Sequence, residues 1–212
     1  MFEELAAGAR GAVAEVGPGL GTFSSRLLAA GVESLLLVEP DPKCVDTLRT
    51  RFRDDPRVRI VEEELPAAVS LLKSTGALDF ILCQNVLEHV REDVSAVETM
   101  AGALRQGGRL AILVPAGPKL FGPLDRSYGH ERRYTQSGLR AVIEESGLRL
   151  LDLRPFNLLG IAGWWVKNQI GANSLDTRSL AVYEAALPLW RPLEQWLRPR
   201  WGLSLIAHAE RA

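Results

Sequence analysis

An acid and three glycines at alternate positions, Glu15-Val16-Gly17-Pro18-Gly19-Leu20-Gly21, close an apolar run that begins at Ala12. Glycines spaced this way let the backbone turn tightly and let a ligand approach bare peptide groups. The helix expected directly behind them, from Gly21 to Ala30, points its free N–H groups into the loop. Strand, glycine loop and helix together open a nucleotide-binding α/β unit. A second acid, Glu39, ends the apolar run Ser34 to Glu39, roughly 20 residues beyond the loop, where it can reach a ribose. A dinucleotide fingerprint, G-x-G-x-x-G, would need glycine where this chain has Thr22, which disfavours a nicotinamide-dependent oxidoreductase. Glu15 sits inside an apolar run, and a buried carboxylate needs partners. A neutral imidazole can take a proton near pH 7. Of the three histidines, His89 and His130 lie in segments that follow strands, and His208 lies inside the last strand, where a structural role is expected.

The elements that would position these residues alternate along the chain. Residues 1 to 10 read as an amphipathic stub of one or two helical turns. After the first strand and helix, Gly31 provides a helix stop, and Ser34 to Glu39 reads as a strand buried on both faces. Asp41 and Pro42 supply an N-cap and a first helical residue for a helix to about Arg53. A third strand is expected over Arg57 to Val61, a helix over Pro66 to Lys73 and a fourth strand over Leu78 to Cys83. A helix follows through Val94 to Leu104, then a turn at Gln106-Gly107-Gly108 and a fifth strand over Arg109 to Val114. Such alternation implies right-handed crossovers and a doubly wound sheet. Beyond Pro115 come a Gly/Pro loop (116–134), a helix from Thr135 to Ser146 stopped by Gly147, and a sixth strand from Leu148 to Arg154. A proline-punctuated helical segment with four of the five tryptophans fills 157–200, and a seventh strand runs from Leu203 to Glu210.

Composition narrows the class. The chain of 212 residues, 47% hydrophobic and 24% charged, suits one globular domain. Its net charge of −1 argues against a dedicated nucleic-acid binder. Cys44 and Cys83 are too few for a metal knuckle or a disulfide framework, so a reducing cytoplasm is expected. Neither a signal peptide nor an apolar run of membrane-spanning length is evident.

The pattern E-x-G-x-G-x-G, Glu15 to Gly21, resembles motif I of the class I S-adenosylmethionine (SAM) dependent methyltransferases. Further matches follow in order at successive strand ends: Glu39 with Pro40, Glu64-Leu65, and Asn85-Val86-Leu87-Glu88-His89, which resembles the family's "NVLEH" segment. The resemblance implies a Rossmann-like seven-stranded sheet of order 3-2-1-4-5-7-6, with the last strand antiparallel and helices on both faces. It implies that SAM is bound and S-adenosylhomocysteine released. Glu15 would lie near the methionine end, beside the loop of Gly17, Gly19 and Gly21; Glu39 would hold the ribose hydroxyls. Glu64 and Leu65 would meet the adenine, with Glu62 and Glu63 competing for the acid's role, and Asn85 would line the methionine part. The chain then divides into a SAM-binding half (1–115), an acceptor-side loop, helix and strand (116–156), a helical lid (157–200) and the last strand (201–212). Many relatives carry extra N-terminal helices over SAM. Only about ten residues precede the first strand here, so either the start is truncated or the C-terminal lid does that job.

The acceptor side is less determined. Methyl transfer needs a positioned acceptor and, where the acceptor carries a proton, a base. His130 and His89 are the candidate catalytic residues, and a histidine base favours an oxygen acceptor. The segment Leu120 to Tyr134 resembles a bacterial branch bearing "LFGxxDxxxGHxRRY", with "FNLLGxxGWW" and "GLSLIA" later in the chain. Methyltransferases of ubiquinone biosynthesis, a more distant resemblance, can hold a divalent metal on a Glu-x-x-Glu-His segment and a later histidine. Glu88, His89 and His130 match that set, and Asn85 replaces its first glutamate. Arg132 and Arg133 could grip an acidic acceptor or a carrier phosphate, or be a solvated pair. The tryptophan-rich segment reads as a lid, as plain core, or as an interfacial helix touching a membrane surface around a lipid-linked acceptor. The expected partner is a small-molecule acceptor, for example of secondary metabolism. The non-enzyme rival is a SAM-binding scaffold, against which the intact Glu15, glycine and Glu39 set argues.

Overall fold

The computed structural model describes residues 1–65, 78–169 and 199–212. Within them a seven-stranded sheet has the order β3-β2-β1-β4-β5-β7-β6. The strands are β1 (Ala12–Val16), β2 (Ser34–Val38), β3 (Val58–Val61), β4 (Leu78–Gln84), β5 (Leu104–Pro115), β6 (Leu148–Phe156) and β7 (Ser204–Arg211). The first five pair in parallel, and β7 runs antiparallel between β5 and β6. This is the order and the inverted last strand that the family resemblance implies.

Period-two alternation sends successive residues of each central strand to opposite faces. On one face Ala14, Val16, Leu36, Val38, Ile81 and Cys83 pack under α4 (Asp93–Ala103) and α6 (Gln136–Glu145), through residues such as Val97, Met100, Leu139 and Ile143. On the other, Val13, Leu35, Leu37, Phe80 and Leu82 pack under α1 (Phe2–Leu5), α2 (Thr22–Ala29) and α3 (Pro42–Arg51). Asp41 caps α3 by accepting from the Lys43 N–H at 2.9 Å, with Pro42 as first helical residue. Thr135 caps α6 in the same way through the Gly138 N–H.

The expected turn at 106–108 does not separate α4 from β5. The strand starts at Leu104 and passes through an irregularity, pairing Leu78 with Leu104 and then Phe80 with Arg109. Gly107 adopts φ +72, and Gly108 lies so close to the Leu78 and Arg105 carbonyls that no side chain would fit. The two glycines let the strand bulge instead of turning. His208 lies in β7 with its Nε2 2.9 Å from the Glu4 carbonyl, the structural role expected for it. The expected helix over Pro66 to Lys73, and the lid over 170–198, fall outside the described residues. The first part of the segment expected to form a lid is helix α7 (Leu158–Gln169). Among the described residues no helix is long and apolar enough to cross a membrane.

Candidate active site

The carboxyl ends of the parallel strands converge on a cavity of about 480 Å³. Gly17, Glu39, Pro40, Glu64, Leu65 and Asn85 line it, and so do Glu63 and His89. Clefts at this edge of an open α/β sheet are where such folds take ligands.

Each lining residue is held there by its strand. Gly17 follows β1 and has φ +71; a Cβ on it would overlap the Cγ2 of Val86, so only glycine lets the loop pass this close to the segment after β4. Gly19 has φ +55, and a Cβ there would meet open space. Its N–H donates to Oε2 of Glu39 at 2.9 Å, and the Asp41 N–H donates to Oε1 at 3.0 Å. Glu39, buried at the end of β2, thus ties the glycine loop to the start of α3. Asn85, directly after β4, takes φ +52, a conformation that asparagine tolerates better than most residues, while its N–H donates to the Leu113 carbonyl. Glu62 turns away to Arg49 (3.4 Å), which leaves Glu63 and Glu64 as the acids at the cavity.

Three of the candidates for cofactor contact do not line the cavity. Gly19 and Gly21 shape the loop behind Gly17, Gly21 serving as the N-cap of α2. Glu15 is fully buried on the α2 face of β1, the face it shares with Val13. Its Oε2 accepts a 2.5 Å hydrogen bond from the Ser24 hydroxyl, and its Oε1 has no partner among the described residues. Burial pushes its pKa up to about 7, against the lowering pull of Ser24 and with a smaller push from Glu39.

Beside the cavity, the loop after β5 is laced onto the segment after β4. The 3-10 turn Leu87–His89 places Glu88 inside and His89 outside. The Glu131 N–H donates to the Glu88 carbonyl (2.8 Å), and Arg132 pairs with Asp93 (2.8 Å). The His89 Nδ1 lies 3.1 Å from the Gly129 carbonyl. A carbonyl only accepts, so Nδ1 carries the proton and Nε2 is the basic nitrogen. Partial desolvation lowers the His89 pKa, the Gly129 hydrogen bond opposes this, and neighbouring His130 adds to it. The two imidazoles meet edge to face, centroids 4.9 Å apart.

His130 is oriented by a residue to which the sequence pattern gave no role. Asp125, fully buried in the short helix α5 (Pro123–Ser127), accepts from His130 Nδ1 at 2.9 Å and from Arg133 Nε at 2.7 Å. Its other oxygen accepts from the Gly122 N–H at 2.9 Å. Burial pushes Asp125 up, but these hydrogen bonds and the Arg133 charge outweigh it and hold the carboxyl below its ordinary range. Arg133 is therefore buried, not a solvated grip. Its Nη1 donates to the Ala116 carbonyl (3.0 Å), and its guanidinium lies 4.5 Å from the ring centroid of Trp164 on α7. The signal available in sequence was an aspartate five positions before the histidine, behind Gly-Pro.

Glu88 completes the cluster. It is 1% exposed, and among the described residues neither carboxylate oxygen has a hydrogen-bond partner beyond its own residue. Burial raises its pKa to about 7, opposed by its own backbone N–H and by His130 and Arg133. One ligand atom from each of Glu88, His89 and His130 can be chosen so that all lie within 4.8 Å of one another.

The chain is similar in sequence and fold to known methyltransferases. Residues 14–110, from β1 into β5, match the family model described as "Methyltransferase domain". A ribosomal RNA small subunit methyltransferase A of Synechococcus sp. (strain JA-2-3B'a(2-13)) is 34% identical over 125 residues, covering 55% of this chain and 41% of that protein. The match thus spans about two fifths of the curated relative. An S-adenosylmethionine-dependent methyltransferase from Mesorhizobium loti superposes with TM-score 0.67 at 13% identity, over 100% of this chain and 98% of that one. The N-methyltransferase NodS from Bradyrhizobium japonicum WM9, solved with S-adenosylhomocysteine, gives TM-score 0.62 at 14% identity over 98% and 81%.

Proposed function

From the premise that this chain belongs to the class I SAM-dependent methyltransferases, with its methyltransferase domain over residues 14–110, we propose that it methylates an oxygen of a small molecule with His130 as base. The observation that carries this reading is the 2.9 Å contact between His130 Nδ1 and the buried Asp125 carboxylate. A carboxylate on Nδ1 fixes the tautomer, leaves Nε2 free to accept a proton, and stabilises the imidazolium that results.

SAM is the cofactor, and the residues around the first cavity fit it. The bare loop at Gly17 and the carboxylate of Glu39 suit a ribose beside peptide groups. Leu65 with Glu63 or Glu64 offers an apolar wall and an acceptor for an adenine edge. Asn85 lies toward the histidines, where the methionine end would point. When bound, SAM supplies a methyl group already activated on a sulfonium. The chain's own work is then to hold the acceptor in line with that methyl group and to take its proton onto His130 Nε2. Glu15 supports the loop from beneath rather than touching the ligand.

A relative named for ribosomal RNA methylation marks the other acceptor class. The net charge of −1 does not supply the excess of cations on which binding to a phosphate backbone draws. A small molecule is therefore favoured. A second reading rests on the Glu88 carboxylate beside His89 and His130, which among the described residues has no hydrogen-bond partner beyond its own residue. These three donors suit a divalent cation that would hold the acceptor oxygen and acidify its hydroxyl. Asn85 in place of a further acid makes that site less charged. Loss of activity in EDTA, restored by magnesium or zinc, supports the second reading; full activity in EDTA overturns it.

The experiment has two stages. Calorimetric titration with S-adenosylhomocysteine, with NADH in parallel, should give saturable binding of the first alone. Turnover is then measured on a panel of hydroxyl, carboxyl, amine and RNA acceptors for the wild type and His130→Ala. The expected result is a loss of about 10²- to 10⁴-fold in turnover on a hydroxyl or carboxyl acceptor, with cofactor affinity unchanged. Wild-type turnover in the variant would end the base assignment, and methylation of RNA or amines alone would end the acceptor assignment.

A further inference from the structure

A second cavity, of about 400 Å³, opens at the same edge of the sheet and shares no lining residue with the first. It lies between the end of β5, the start of β7, the end of β6 and helix α7. Ala116, Leu120, Tyr134, Pro155, Ile161 and Leu205 form much of its wall, and Trp201, 77% exposed, stands at its mouth.

The side-chain polar groups of three lining residues are committed elsewhere. The Tyr134 hydroxyl donates to Asp93 (2.8 Å), Thr135 Oγ1 caps α6, and the Gln136 amide donates to the Arg200 carbonyl (3.3 Å). The backbone of the wall is paired too. The Ala116 N–H donates to the Leu203 carbonyl, the Gly117 N–H donates to the Tyr134 carbonyl, and the Ala116 carbonyl accepts from Arg133. Arg200, which is exposed, also lines the cavity, but the rest of its wall is mainly apolar, so the body of a ligand entering here would be held chiefly by apolar contact.

The wall also leads to the proposed base. Arg133, bonded to Ala116 and adjacent to Tyr134, shares the Asp125 carboxylate with His130. The His130 ring meets that of His89, which lines the first cavity. The second cavity is thus joined to the histidine pair through Arg133 and Asp125, and the pair is joined to the first cavity through His89.

We propose that this cavity receives an uncharged apolar segment, an aliphatic chain or aromatic ring, of the methyl acceptor, whose oxygen is thereby placed at His130. The inference rests on the methyltransferase reading, but its test does not require a known acceptor. The probe is N-phenyl-1-naphthylamine, a neutral apolar fluorophore that brightens on leaving water. It should bind saturably at one site per chain. Ile161→Asp, which puts a charge in the wall, should weaken binding at least tenfold while S-adenosylhomocysteine affinity stays unchanged. Leu120→Asn serves the same purpose if Ile161→Asp fails to fold, as judged by thermal melting. No saturable binding, or affinity within twofold of wild type in the folded wall variant, overturns the proposal. Probe binding at this wall by a chain that binds no S-adenosylhomocysteine would overturn the methyltransferase reading and leave the apolar site standing without its acceptor.

Discussion

His130 and Arg133 share one carboxylate: Asp125 Oδ1 accepts from the imidazole Nδ1 at 2.9 Å and from the guanidinium Nε at 2.7 Å, with no part of Asp125 exposed. One buried acid thus orients the proposed base and neutralises a cation beneath α7. These two tasks can be separated.

Asp125→Asn keeps the side-chain shape and removes the charge. Arg133, only 5% exposed, then loses its hydrogen-bonded counter-charge, and breaking a buried pair costs about 3–5 kcal/mol. Turnover should fall by about 10²- to 10⁴-fold as His130 loses its fixed tautomer. In Asp125→Asn/Arg133→Met the orphaned cation is gone, so chemical denaturation should show most of the stability regained while turnover stays low. Recovery of both together would mean that Asp125 acts on structure alone.

Glu39 is the hinge pin of the other half of the site. Its two oxygens accept the N–H groups of Gly19 and Asp41. Hydrogen bonds to a charged group contribute about 1.5–3 kcal/mol each. Glu39→Ala frees the glycine loop and removes the carboxylate proposed to meet the ribose. S-adenosylhomocysteine affinity should drop by about 10- to 100-fold in calorimetry, with a smaller loss for Glu39→Gln, whose amide oxygen still accepts one of the two bonds.

Gly17 and Val86 test how closely the loops must pack. Gly17→Ala adds a Cβ that overlaps Val86 Cγ2 and forces an alanine to φ +71. The backbone part costs about 1–2 kcal/mol, and overpacking typically adds about 1–3 kcal/mol. Val86→Ala removes the overlapping methyl group but not the φ. In Gly17→Ala/Val86→Ala the double-mutant cycle should therefore show a favourable coupling of about 1 kcal/mol or more. Strict additivity would mean that the two segments part without cost.

The cofactor half was legible in the sequence because its signals are local. Glycine spacing, an acid at the end of β2 and apolar runs of strand length each declare themselves within ten residues. The antiparallel β7 followed from family resemblance, since no periodicity says which neighbour a strand will choose. Asp125 was hidden for the same reason. Its partners, His130, Arg133 and the Gly122 amide, meet only when the Gly-Pro turn and α5 fold back over the 3-10 turn after β4. Charge pattern also misled at Arg133, where two adjacent arginines look solvated. One of them pairs with Asp93, and the other is buried under Trp164. Gln106-Gly107-Gly108 read as a turn because glycine pairs usually make one, but here they let β5 bulge.

Glu15 gives the clearest dependence of stability on pH. Burial raises its pKa from 4.5 to about 7, with Ser24 opposing and Glu39 reinforcing the shift. Between those two pH values the folded chain keeps a proton that the unfolded chain has released, so Glu15 makes stability fall as pH rises through this window, and its effect is level above it. At about 1.4 kcal/mol per tenfold change in the proton equilibrium, the whole effect is about 3 kcal/mol. Glu15→Gln has nearly the same shape and never ionises. Its unfolding free energy relative to wild type, measured in urea, should therefore climb by up to about 3 kcal/mol from pH 4 to pH 8. At pH 4 both chains are neutral at this position and differ only in how the side chain meets Ser24. A difference that stays flat across this range would mean that Glu15 is ionised in the folded chain, with a partner for its free Oε1.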